Sequence, residues 1–175
     1  VEPPTRIDPA LIAAYRAAHY EVSTDASAGL AAAFVLRVDV ASSELLALYG
    51  RHGVSQAAYL TACNPHSTML SDADNRARMD ELAQTLRALA RQGPARSKTR
   101  SILRSPAHAY VRSNPRSYMC LHGRGTDPSG AWPGEASVLV LGMSEEQARE
   151  LGTRFAQNAL LHAGADGVPR LVLLR

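Results

Sequence analysis

Tyr59-Leu60-Thr61-Ala62-Cys63-Asn64-Pro65 leads, six residues on, into Ser71-Asp72-Ala73-Asp74-Asn75-Arg76-Ala77-Arg78, and the reading of these two stretches decides the fold. The first is a half-apolar strand, expected over Gln56 to Cys63, that ends in an Asn-Pro turn. The second opens with a serine suited to capping a helix from Ser71 to about Ala90, because Met79, Leu82, Leu86 and Leu89 recur three and four apart. At about 100° per residue, Asn75 falls on the centre line of that apolar face and Arg78 on its flank. A buried amide without a partner costs about 1–3 kcal/mol, so Asn75 must bond loop backbone, water or a ligand at the strand's end.

Upstream, Asp8-Pro9 is a helix start, with aspartate as cap and proline in the first turn, and a helix from Pro9 to Tyr20 follows. Ala31 to Val40 alternates Phe34, Leu36 and Val38 with Val35, Arg37 and Asp39, the period of a half-buried strand. Ser42 or Ser43 caps a short helix through Tyr49, stopped by Gly50 and Gly53. Downstream, Tyr118 to Leu121 and Ala136 to Leu141 read as a strand pair joined by the turn-rich Gly123 to Gly130. Ser144-Glu145-Glu146-Gln147 is a capping box opening a helix expected to reach Ala163, and Pro169 to Leu174 closes as a strand.

From Gln56 onward the order is strand, helix, strand, strand, helix, strand. The expected fold is therefore α/β (α+β): a mixed sheet with helices packed on it, built on a ferredoxin-like split β-α-β core with an N-terminal helix and strand added. A single domain over residues 1–175 fits the length of 175 residues, with a basic loop or insertion at about 92–117. Hydrophobic residues make up 46% of the chain and aromatics only 5%, so the core is expected to be aliphatic and closely packed. No long apolar run and no basic-then-apolar leader is visible, which points to a cytoplasmic protein without a membrane partner. Cys63 and Cys120 are too few for a disulfide framework. The net charge of +3 is modest, but its distribution is uneven: no acidic residue lies between Glu81 and Asp127, where about half of the 19 lysines and arginines sit.

Thr61-Ala62-Cys63-Asn64-Pro65, Leu70-Ser71 with Asn75 and Arg78, Glu135-Ala136-Ser137-Val138-Leu139-Val140-Leu141-Gly142 and Phe155-Ala156-Gln157-Asn158-Ala159 together resemble a family of small bacterial proteins known as domain of unknown function 3293. The resemblance extends from about Ala14 to Leu174 and implies no reaction, cofactor or partner. Cys63 stands where an aromatic residue is expected, and the basic segment is longer than the expected connection.

Asn64, Asn75, Arg78 and Asn158 are the candidate ligand-binding residues, converging with Glu135 near the end of the second strand. A helix N-terminus beside Arg78 favours an anion, so the leading expectation is that the site binds, or binds and transforms, a small polar or anionic metabolite. In an enzymatic version Glu135 is the general acid or base and His162 the second proton carrier. A histidine alone on an apolar face is more often packed than catalytic. No nucleophile elbow, phosphate-binding loop, zinc-protease or dinucleotide fingerprint is present, and no cofactor is expected. Cys63-x-x-His66 and Cys120-x-His122 offer four soft ligands, but the second spacing is unusual and no metal is expected. The alternative is a nucleic-acid-associated or protein-interaction module in which Arg96, Lys98, Arg100, Arg104, Arg112 and Arg116 follow a phosphate backbone while Tyr110 and Tyr118 stack on bases. Solvated loops have the same composition. Oligomeric state is not encoded in any of these patterns.

Overall fold

The computed structural model describes residues 7–24, 33–92, 118–130 and 132–175. Its helices begin where the caps place them. Asp8 accepts from the Ala10 N–H (2.8 Å) at the start of α1 (Pro9–Ala17), and Ser42 Oγ from the Leu45 N–H (3.1 Å) at α2 (Ser43–His52), which Gly53 ends in a left-handed cap. α3 covers Asp72–Gln92, and Ser144 with Gln147 forms the full capping box of α4 (Glu145–Arg154).

Seven strands form one sheet: β1 (His19–Ser23), β2 (Ala33–Leu36), β3 (Ala57–Leu60), β4 (Met119–Thr126), β5 (Glu135–Leu141), β6 (Ala159–Ala163) and β7 (Pro169–Leu173), in the spatial order β2-β1-β4-β5-β3-β6-β7. The inner run β4-β5-β3-β6 is the arrangement of a split β-α-β core, with α3 crossing from β3 to β4 and α4 from β5 to β6. Every neighbouring pair is antiparallel, where a mixed sheet was expected, because each helical crossover skips one strand that then fills the gap.

Several element boundaries differ from the sequence expectation. The first helix stops at Ala17, and Tyr20 belongs to β1, whose Tyr20 and Val22 pair with Gly125 and Gly123 of β4. The last helix stops at Arg154, and Ala159–Ala163 is strand β6, paired with both β3 and β7. Gly123 to Thr126, read as a turn, completes β4.

Alternation along the strands divides the core. Ala57, Tyr59, Leu139, Leu141, Leu161 and Ala163 face α2 with Leu45 and Leu48, whereas Ala58, Leu60, Val140 and Leu160 face α3 and α4. Leu82 and Leu86 of α3 are almost wholly buried there, each side chain stabilising by about 1.5–3 kcal/mol. The sheet curls around its α2 face, so that the chain just beyond β2 reaches the start of β7: Asp39 N–H donates to Pro169 O (2.8 Å) and Ser42 N–H to Gly167 O (3.0 Å). Gly123 permits this curl, since a Cβ there would stand 2.5 Å from Tyr59 Oη and 2.8 Å from Glu21 O. No helix among the described residues is long and apolar enough to cross a membrane.

Candidate functional site

The register puts three polar side chains at one end of three adjacent strands. Tyr59 pairs with Leu139 of β5 on one side and Leu161 of β6 on the other, so Asn64 leaves the end of β3 between Glu135, opening β5, and Asn158, just before β6. All three line a cavity of about 210 Å³ on the α2 face of the sheet, roofed by Leu11 and Tyr15 of α1. Its other walls include Tyr20, Tyr59, Ser67 and Trp132.

Asn64 is the hub. It is 6% exposed and sits at φ 44°, a left-handed conformation that asparagine tolerates better than most residues. Its Nδ2 donates to Glu135 Oε1 (2.7 Å), and its Oδ1 accepts from the Leu70 N–H (2.9 Å) and from Asn75 Nδ2 (2.9 Å). Burial pushes the Glu135 carboxyl above its ordinary range, and the hydrogen bond from Asn64 opposes that shift only in part. Burial likewise raises the phenols of Tyr20 and Tyr59 and the thiol of Cys63.

Asn75 lies behind Asn64, outside the cavity wall. Its Oδ1 accepts from the Asn64 N–H (2.9 Å), so its amide meets Glu135 only through Asn64. Arg78 also faces away from the cavity: its Nε donates to Ala62 O and its Nη2 to Phe155 O, both at 2.6 Å. Those bonds tie the end of β3 to the end of α4, and they engage the guanidinium that the anion expectation relied on. Asp72 and Asp74 already occupy the first turn of α3, which further disfavours an anion there.

Asn158, 2% exposed, donates through Nδ2 to Ser67 Oγ (2.9 Å) and Tyr15 Oη (3.2 Å), and these two hydroxyls bond one another at 3.0 Å. Its Oδ1 has no partner among the described residues. Turning the amide over exchanges oxygen for nitrogen but still leaves one polar atom unpaired.

His162 does not join Glu135. In β6 it points to the α3/α4 face of the sheet, opposite the side lined by Leu161, with Nε2 3.3 Å from Met143 O and Nδ1 4.0 Å from Glu145. The helical placement expected for it fails because that stretch is a strand. The four soft ligands do not assemble either: among the described residues no group of three or more His, Cys, Asp or Glu is placed to hold a metal ion, and both cysteines are free. Arg96, Lys98, Arg100, Arg104, Arg112 and Arg116 lie outside the described residues.

Tyr15, Ser67, Gln157 and Trp132 are site residues that sequence reasoning missed. Gln157, within the stretch expected to be helical, donates to Cys63 O (2.9 Å) and fastens the loop after α4 to the loop after β3. Four non-glycine residues with positive φ, Asn64, His66, Ser67 and Ala156, cluster in these two loops, which are joined again by His66 N–H to Ala156 O (2.7 Å). Left-handed conformation at such residues costs about 1–2 kcal/mol each and persists where surrounding contacts hold it.

No curated protein and no solved structure matches the chain. One family does, described as a protein of unknown function (DUF3293), over residues 60–101 and 111–160, with the break inside the basic segment. Those two stretches span more than half of the chain and hold Asn64, Asn75, Arg78, Glu135 and Asn158, and the chain belongs to this family.

Proposed function

We propose that the protein binds a small polar molecule in the cavity at the ends of β3, β5 and β6. The observation that carries this reading is a partly desolvated carboxylate, Glu135, on the wall of the same cavity as Asn64 and Asn158, two buried amides of which Asn158 keeps one polar atom unpaired among the described residues. A buried polar atom left unbonded costs about 1–3 kcal/mol, and sites that bind ligands are where such costs are retained. The volume of about 210 Å³ lies below the range of about 300–1,000 Å³ common for drug-sized ligands, which limits the molecule to metabolite size. Its body meets tyrosine, tryptophan and leucine, and its head meets Glu135, Asn64 and Asn158.

The anionic version of the expected ligand loses support, because Arg78 is engaged by main-chain carbonyls and no lysine or arginine among the described residues lines the cavity. If the molecule is transformed, Glu135 is the lining side chain suited to move a proton. The test is a panel of small polar compounds screened by backbone and side-chain amide NMR on the full chain. Saturable shifts confined to residues 61–67, 132–137 and 157–161, lost in Glu135→Gln or Asn158→Leu, support the reading. A panel that moves none of those resonances at millimolar concentration overturns it.

A further inference from the structure

The geometry points to an organic cation, an ammonium or guanidinium group on a small apolar body, as the molecule this cavity takes. This deepens the binding reading above and rests on it. The chain is poor in aromatic side chains, with one tryptophan, six tyrosines and two phenylalanines in 175 residues. Yet the single tryptophan, Trp132, and three of the tyrosines, Tyr15, Tyr20 and Tyr59, line this one cavity. Aromatic faces attract a cation that comes within about 6 Å of the ring centroid.

Tyr20 and Tyr59 stand edge to face, with centroids 5.4 Å apart and planes at 81°. Their hydroxyls are already engaged, Tyr20 Oη donating to Tyr15 O (2.7 Å) and Tyr59 Oη to Glu21 O (2.8 Å). The rings are therefore held in place, and their hydroxyl protons are already committed. Among the described lining residues Glu135 is the only charged side chain. An anion would meet a carboxylate and negative ring faces with no counter-charge. A neutral head would leave the half-buried carboxylate with the Asn64 amide as a partner but without a counter-charge. A cation bearing N–H donors satisfies the carboxylate and the rings together.

Three probes with matched bodies separate these cases: 2-phenylethylammonium, 2-phenylethanol and 3-phenylpropionate, titrated into the full chain by calorimetry and amide NMR. The ammonium is expected to bind about tenfold or more tighter than the alcohol, with the carboxylate weakest. Glu135→Gln, which keeps an acceptor for Asn64, is expected to weaken the ammonium about tenfold or more and so erase the preference for the cation. Trp132→Leu gives a second readout should Glu135→Gln fail to fold, and is expected to weaken the ammonium about three- to tenfold. If the alcohol or the carboxylate binds as tightly as the ammonium, the cation inference falls and the binding site stands. If none of the three shifts the lining residues, both fall.

Discussion

Asn75→Ala discriminates between a scaffolding asparagine and a ligand-contacting one. The substitution removes two hydrogen bonds of good length to Asn64 and a third, at 3.5 Å to Leu70 O, that is too long to count for much. The larger loss is at the Asn64 N–H, left unpaired in a residue that is 6% exposed, for about 1–3 kcal/mol. Asn64 Oδ1 suffers less, since it keeps the Leu70 N–H and forfeits only a bond of about 0.5–1.5 kcal/mol. Alanine returns about 0.5 kcal/mol through its better helix propensity. The net cost is about 1–4 kcal/mol with a centre near ~2.5, which at about 2–4 °C per kcal/mol for a chain of this size lowers Tm by roughly 5–10 °C at that centre. Thermal and urea melts followed by far-UV circular dichroism read this directly. A Tm within about 2 °C of the wild type, together with lost ligand shifts, would falsify the scaffolding assignment and return Asn75 to the site.

Arg78→Lys is expected to destabilise by about 1–3 kcal/mol, because one ammonium cannot serve the Ala62 and Phe155 carbonyls at once; an unchanged urea midpoint would show that this fork is dispensable. The raised Glu135 carboxyl makes the native state hold its proton more tightly than the unfolded chain does. Its stabilising contribution is thus complete below the unfolded value, near 4.5, and is lost as pH climbs through the raised native value. Melts across about pH 4 to 8 should show the wild type losing ground to Glu135→Gln as pH rises, and parallel curves would contradict the shift. Ala156→Gly should be neutral or stabilise by up to about 1 kcal/mol, relief of the left-handed strain at φ 56° offsetting glycine's larger unfolded-state entropy. A loss beyond about 1 kcal/mol would mean that the loop is not strained.

Elements with local signals were legible in the sequence, and those made by tertiary partners were not. Asp8, Ser42 and Ser144 write their helix starts into the chain, and Leu82 and Leu86 write the buried face of α3. No glycine or proline follows α4 between Phe155 and Asn158 to mark its end. That end is imposed from outside, by Arg78 on Phe155 O, His66 on Ala156 O and Gln157 on Cys63 O. β1 was absorbed into α1 because its pairing with β4 depends on the glycines at 123 and 125, which read as a turn when seen alone. On the cavity wall, Asn64 and Glu135 stand where an Asn-Pro turn and a strand start mark the sequence, whereas Asn158, expected within a helix, precedes a strand instead. Asn75 and Arg78 were rightly placed near them but on the wrong side of the loop, since helical phase gives a direction and not a depth. The aromatic wall was invisible, as Tyr15, Tyr20, Tyr59 and Trp132 come from separate elements and share no spacing.

The closing of the curl has a consequence for how the protein is made. Asp39 and Ser42 find their acceptors at Pro169 and Gly167, and the Tyr49 hydroxyl finds Ala163 O, 114 positions away. At a ribosomal pace of about 5–20 residues per second, α1, β1, β2 and α2 wait roughly 6–25 s for strands β6 and β7 to emerge. During that interval the sheet that covers Leu45, Leu48 and Phe34 is incomplete. The nascent chain, rather than the finished protein, is therefore the form most exposed to aggregation and most in need of chaperone protection.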